Sequence, residues 1–156
     1  MVKIYCLVEG SSTEMKVYPS WVKHTIPNMD VFNKVEDRVA FDSSTNSCYF
    51  ISGYGYPLIV NHIVHAANDI SQIPDITHFV VILDCDEDTV QQRSEIIMSE
   101  IVKHAVLNTV DVKVVIQNRC VETVFLGNKK IISRQPQNRV FSEYLSYYDV
   151  TLSSLS

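Results

Sequence analysis

The segment Thr77-His78-Phe79-Val80-Val81-Ile82-Leu83, followed at once by Asp84-Cys85-Asp86-Glu87-Asp88, constrains this chain more than any other. An almost continuous apolar run is what a strand buried on both faces requires, because a strand with one wet face alternates instead. Burial on both faces implies neighbouring strands on either side and helices above and below, hence a mostly parallel sheet in an α/β fold. The acidic stretch cannot continue such a strand, so it marks the strand's carboxyl end.

The remaining pattern agrees. Residues 3–8 (KIYCLV) read as a first strand, broken by residues 9–14 (EGSSTE). Ser11 with Glu14 three residues later is a capping-box spacing that predicts a helix start, and Pro19 predicts a kink or a restart within it. Residues 34–41 and 47–51 predict two short strands joined by the polar turn Asp42-Ser43-Ser44-Thr45-Asn46. Gly53, Gly55 and Pro57 predict a loop, and residues 58–70 place apolar side chains at helical spacing. A helix from about Thr89 to Val106, a buried strand at 112–117 and a helix around 119–127 complete the alternation. Strands alternating with helices at crossover spacing predict a Rossmannoid sheet with helices on both faces. The 156 residues fit one such domain, placed at 1–142, with a Tyr-rich, Ser-ended tail at 143–156.

Composition excludes several classes of protein. Hydrophobic residues at 46% and charged residues at 20% supply a core and disfavour disorder. A net charge of −5 argues against a surface coated in positive charge to grip nucleic acid, although an acidic metal site would itself contribute to that sum. Cys6, Cys48, Cys85 and Cys120 form no C-x-x-C pair, so reduced thiols are expected. No apolar run reaches membrane-spanning length and no secretory leader is legible, which together predict a cytoplasmic protein with no membrane partner.

In open α/β sheets, ligands bind beyond the carboxyl ends of the strands. Glu9 directly follows the first strand, and Asp84, Asp86 and Asp88 follow the 77–83 strand. If the two strands are neighbours, about 5 Å apart, their carboxylates converge. Clustered carboxylates repel unless a cation neutralises them, and hard oxygen donors suit Mg²⁺ or Mn²⁺. The 84–88 cluster and Glu14 also have purely structural explanations, whereas a charged residue directly after a buried strand and next to Gly, as Glu9 is, more often serves function. Acids after a strand often cap the next helix, which would account for Asp88, and the capping box would account for Glu14.

Val8-Glu9-Gly10-Ser11-Ser12-Thr13-Glu14, paired with Val81-Ile82-Leu83-Asp84-Cys85-Asp86-Glu87-Asp88, resembles the TOPRIM domain of type IA topoisomerases, DnaG-type primases and overcoming-lysogenization-defect (OLD) nucleases. The E-G-x-x-T-E form at Glu9–Glu14 resembles the RloB-like branch associated with bacterial restriction and defence, and Arg119-Cys120-Val121-Glu122-Thr123 looks like a helix of the small members. The resemblance covers roughly residues 3–127. It implies a TOPRIM-like fold in which Glu9, Asp84 and Asp86 are catalytic. Glu9 would be a metal ligand or general acid/base, Asp84 and Asp86 would hold Mg²⁺ or Mn²⁺, and Glu14 and Asp88 would assist. Glu87 and Asp88 stand where topoisomerases and primases usually carry Gly, which moves the match toward hydrolytic nucleases. No P-loop occurs, so an OLD-type ATPase partner would be a separate chain.

Lys129, Lys130, Arg134 and Arg139 form a basic stretch suited to phosphates, or an ordinary solvated face. Tyr144, Tyr147 and Tyr148 suit base stacking or packing, and His62 and His65 lack a third ligand for zinc. The leading expectation is therefore a metal-dependent nuclease acting on DNA or RNA in bacterial defence. The alternatives are a non-catalytic TOPRIM-like binding or regulatory module and a small-molecule phosphatase. The phosphatase ranks last because haloacid-dehalogenase-like enzymes carry their nucleophilic Asp on an early strand.

Overall fold

The computed structural model describes residues 1–118. The expected helix around 119–127, the basic stretch Lys129, Lys130, Arg134 and Arg139, and the tail at 143–156 lie outside the described residues.

The described chain is α/β. Its elements are β1 (Lys3–Val8), α1 (Glu14–Thr25), β2 (Asp30–Phe32), a 3-10 turn (Val35–Asp37) running into α2 (Arg38–Ser43), β3 (Ser47–Ser52), α3 (Leu58–Gln72), β4 (His78–Asp84), α4 (Val90–Ile101), a second 3-10 turn (Ala105–Thr109) and β5 (Asp111–Gln117). The strands form one sheet in the order β2-β3-β1-β4-β5, with every neighbouring pair parallel.

Side chains alternate across the sheet, so each central strand feeds two cores. Tyr5, Leu7, Tyr49, Phe79, Val81 and Leu83 pack with Phe41 of α2, Ile59, Ile63 and Ile70 of α3, and Ile97 and Ile101 of α4. Cys6, Val8, Cys48 and Phe50 face the other way and pack with Tyr18 of α1 and Met29. Cys6 and Cys48 are free buried thiols with their Sγ atoms 3.4 Å apart. The crossover from β1 to β2 runs toward one sheet edge with α1 on one face. Every later crossover runs toward the other edge with its helix on the opposite face. That pairing of direction and face is what right-handed crossovers demand.

Several local expectations change. Residues 34–41 are not a strand: Arg38 and Asp42 pair at 2.9 Å one helical turn apart, and α2 buries Phe41 completely. The missing strand is β2, three residues long and too short to show a period. The helix expected over 89–106 ends at Ile101 and gives way to the 3-10 turn. The strand at 112–117 is not buried on both faces. It is an edge strand among the described residues, alternates in exposure and leaves Val115 45% exposed. Pro19 does not restart the helix: α1 runs through it as one element. The proline leaves the carbonyl four residues earlier without its helical donor. That carbonyl belongs to Met15, and it accepts instead from the Asn33 side-chain amide at 3.1 Å.

Candidate site at the carboxyl ends of β1 and β4

β1 and β4 are neighbours, with Val8 opposite Ile82. The chain leaving β1 crosses toward β2 and the chain leaving β4 crosses toward β5, so the connections part between these two strands. This is the topological switch point, where open α/β sheets leave a crevice.

Glu9 stands in that crevice and ties its walls together. Its N–H donates to the Ile82 carbonyl at 2.9 Å, and its carbonyl accepts from Gly55 N–H at 2.8 Å. Its carboxylate accepts from two backbone groups, Asp84 N–H at 2.8 Å through Oε2 and Tyr56 N–H at 3.2 Å through Oε1. The β1, β4 and post-β3 ends therefore meet on one side chain. Burial pushes the Glu9 carboxyl above the ordinary carboxylate range, and the Asp86 charge adds to the rise. The two N–H donors and the Arg93 charge work against it.

Asp84 is the last residue of β4. Cys85 still bonds across to β5, its N–H donating to Gln117 C=O at 3.0 Å. The chain then leaves extended geometry. Asp86 takes φ +47°, the left-handed region that Asp tolerates better than most residues. Asp88 N–H closes the turn on Cys85 C=O at 2.8 Å. Thr89 is the N-cap of α4: its hydroxyl accepts from Gln92 N–H at 3.2 Å, and Gln92 Oε1 accepts from Thr89 N–H at 3.0 Å. The cap is thus filled without Asp88.

Asp86 and Asp88 gather instead on Arg93. Its Nη2 lies 2.8 Å from Asp88 Oδ2, 3.9 Å from Asp86 Oδ2 and 3.2 Å from the Cys85 carbonyl oxygen. The Tyr56 ring covers the guanidinium, with Arg93 Cζ 3.6 Å from its centroid. Arg93 is only 3% exposed, yet its Nε and Nη1 have no hydrogen-bond partner among the described residues. A buried N–H left without an acceptor costs about 1–3 kcal/mol. Sequence reasoning missed both Arg93 and Tyr56, because an arginine in a helix ordinarily reads as a solvated residue. The available signal was the cap, since Thr89 fixes the start of α4 and places residue 93 one turn on, over the acidic turn.

Glu14 does not act in the capping box expected of it. The residue preceding α1 is Thr13, and no side chain caps that helix end. The Glu14 carboxylate folds back over Gly10, where a Cβ would overlap it. A side chain at position 10 would displace that carboxylate, and Glu14 thus lies beside the residue that follows Glu9.

The donors fit a divalent cation in kind, being carboxylates throughout. Their placement is less direct. Among the described residues, no three Asp, Glu, His or Cys side chains are grouped to hold one ion. Both Glu9 oxygens face backbone N–H groups, and Asp86 and Asp88 face Arg93. The His62 and His65 rings lie 5.4 Å apart on α3 at a tilt, and the Tyr54 ring lies 5.5 Å from His62. No helix among the described residues is long and apolar enough to cross a membrane. Comparison with known protein families, with curated proteins and with solved structures gives no match.

Proposed function

We propose that this chain is a Mg²⁺- or Mn²⁺-dependent phosphodiesterase acting on nucleic acid. The observation that carries this reading is the hydrogen bond from Asp84 N–H to Glu9 at the switch point. It joins two sequence-distant acidic motifs in one crevice where α/β sheets bind ligands. Glu9 has the environment of a proton-transfer group, since burial raises its carboxyl above the ordinary carboxylate range and geometry holds it at the switch point. Asp84 and Asp86 are assigned as cation ligands with Glu9, and Glu14 and Asp88 as assisting acids. A bound divalent ion supplies an activated water and neutralises charge building on the phosphate. The chain's own work is to hold Glu9 rigidly between three backbone segments, to present Asp84 beside it and to keep Tyr56 over the site.

The resemblance of Glu9–Glu14 and Asp84–Asp88 to TOPRIM nucleases supports the same assignment and suggests a setting in bacterial defence, with any ATPase partner a separate chain. Phosphate contacts along the nucleic acid are assigned to Lys129, Lys130, Arg134 and Arg139.

A second reading has its own observation. Asp86 and Asp88 are neutralised internally by Arg93, as suits a regulatory module that binds a phosphate-bearing ligand without turnover. Incubating the protein with a mixed DNA and RNA panel separates the two. Cleavage dependent on Mg²⁺ or Mn²⁺ and blocked by chelator supports the nuclease. Binding without cleavage supports the module.

A further inference from the structure

We propose that Arg93 is the residue that receives the substrate phosphate, exchanging the Asp86–Asp88 turn for phosphate oxygens when a divalent cation takes those carboxylates. This rests on the cation-dependent reading of the site.

Three observations lead to it. First, Arg93 is 3% exposed and, among the described residues, leaves Nε and Nη1 without acceptors, an arrangement native interiors rarely keep without a use for it. Second, all its present partners crowd on one nitrogen. Nη2 serves Asp88, Cys85 C=O and, at longer range, Asp86. Nη2 shares one edge of the guanidinium with Nε and the other with Nη1. Vacating either of its close acceptors opens a two-donor fork of the kind that grips a phosphate bidentately. Asp88 is the acceptor able to leave, because its side chain is 41% exposed while the Cys85 carbonyl is fixed in the turn. Third, the guanidinium plane is already held. Tyr56 lies 3.6 Å over it, and Tyr56 N–H is bonded to Glu9, so the loop that carries the covering ring is tied directly to the candidate proton-transfer group.

Charge sets the order of events. One guanidinium faces two carboxylates, with Glu9 close enough to feel it, so the crevice as it stands favours a cation over an anion. A divalent ion on Asp86 and Asp88 reverses that balance and leaves the arginine charge for phosphate.

The test is calorimetric titration of Mn²⁺ alone, then of inorganic phosphate at saturating Mn²⁺, into the wild type, Arg93→Gln and Arg93→Lys. Removing the competing guanidinium should tighten Mn²⁺ binding about tenfold in Arg93→Gln, and phosphate binding should weaken about tenfold. Arg93→Lys should bind Mn²⁺ like the wild type but phosphate less well, because the point charge remains and the fork is lost. The Arg93 Nε–H resonance should shift when phosphate is added at saturating Mn²⁺. Equal Mn²⁺ affinity in the wild type and Arg93→Gln, or a resonance that does not move, overturns the exchange while leaving the cation site standing. A wild type that binds no Mn²⁺ overturns both, and is recognised because the parent itself is silent. Should Arg93→Gln fail to fold, Asp88→Asn releases the arginine without altering it. That variant should bind phosphate about tenfold more tightly than the parent without added metal, and unchanged binding overturns the proposal.

Discussion

Two arginines in this chain are each set among acids, and their surroundings differ in one respect. Arg38 divides its partners between two nitrogens, with Nε 2.9 Å from Asp42 and Nη1 2.8 Å from Asp69, and reaches solvent with the rest of its partly exposed side chain. The acids are then engaged in turn. Asp69 accepts from the Tyr5 hydroxyl at 2.5 Å, and the Asp42 carbonyl accepts from the buried Lys3 ammonium at 2.8 Å. Burial, followed by the bond to Asp69, holds the Tyr5 hydroxyl far above its ordinary range, so it stays protonated and donating. This network ties β1, α2 and α3 together and, among the described residues, leaves none of its buried side-chain donors without a partner. Arg93 is more deeply buried and uses one nitrogen for all its partners. A closed polar network specifies structure, whereas a half-closed one at a switch point keeps capacity for a ligand. The comparison separates architecture from function more sharply than burial alone would.

The largest effect that would break this contrast is expected in Glu9→Gln. At saturating metal it should lower phosphodiester cleavage by about 10²–10⁴-fold, the usual range for a lost proton-transfer group, with unfolding still cooperative. A rate near the parent's would return Glu9 to the role of a structural staple. Next comes Asp69→Ala, which strands the Tyr5 hydroxyl and half of Arg38. Arg38 is about a quarter exposed, so water recovers part of the loss, and a destabilisation of about 2–3 kcal/mol is expected by urea unfolding. Metal affinity should stay at the parent's value, since this network belongs to the architecture.

A smaller effect is expected from Gly10→Ala. The new Cβ must displace the Glu14 carboxylate. Metal affinity should then fall a few-fold by calorimetry, and Glu14→Gln should match it. A null result in both would remove Glu14 from the site.

The smallest effect concerns pH. The Glu9 carboxyl is raised by burial, so the folded state binds its proton more tightly than the unfolded chain does. Stability from this group therefore grows as pH falls through its folded pKa toward the ordinary value, and is lost as pH rises back through it. The parent should gain on Glu9→Gln over that acidic window in urea titrations. A gap that is constant with pH would contradict the burial argument.

Much of this was legible in the chain itself. The apolar run at 77–83 became β4, paired on both sides, and the Glu-Gly and Asp-x-Asp motifs fell at the ends of adjacent strands. Burial on both faces is less complete than the run suggested, since Phe79, Val81 and Leu83 are buried while Val80 and Ile82 are only partly so. What escaped was decided at a distance. β2 is three residues long and shows no period. Residues 34–41 carry β-prone valines, yet the Arg38–Asp42–Asp69 pairing and the burial of Phe41 favour a helix there. Ser11 and Glu14 match a capping box locally, but the bare surface of Gly10 takes the Glu14 carboxylate instead. Arg93 and Tyr56 lie 37 positions apart in the chain, and no local pattern brings them together.

The central claim is that the acids beyond β1 and β4 form one divalent-cation site. Titration of Mn²⁺ into the wild type and Asp84→Ala, followed by calorimetry, tests it most directly. Saturable binding is expected of the parent, with at least about tenfold weaker binding by the variant once a carboxylate ligand is lost. Equal affinity in the two proteins would contradict it.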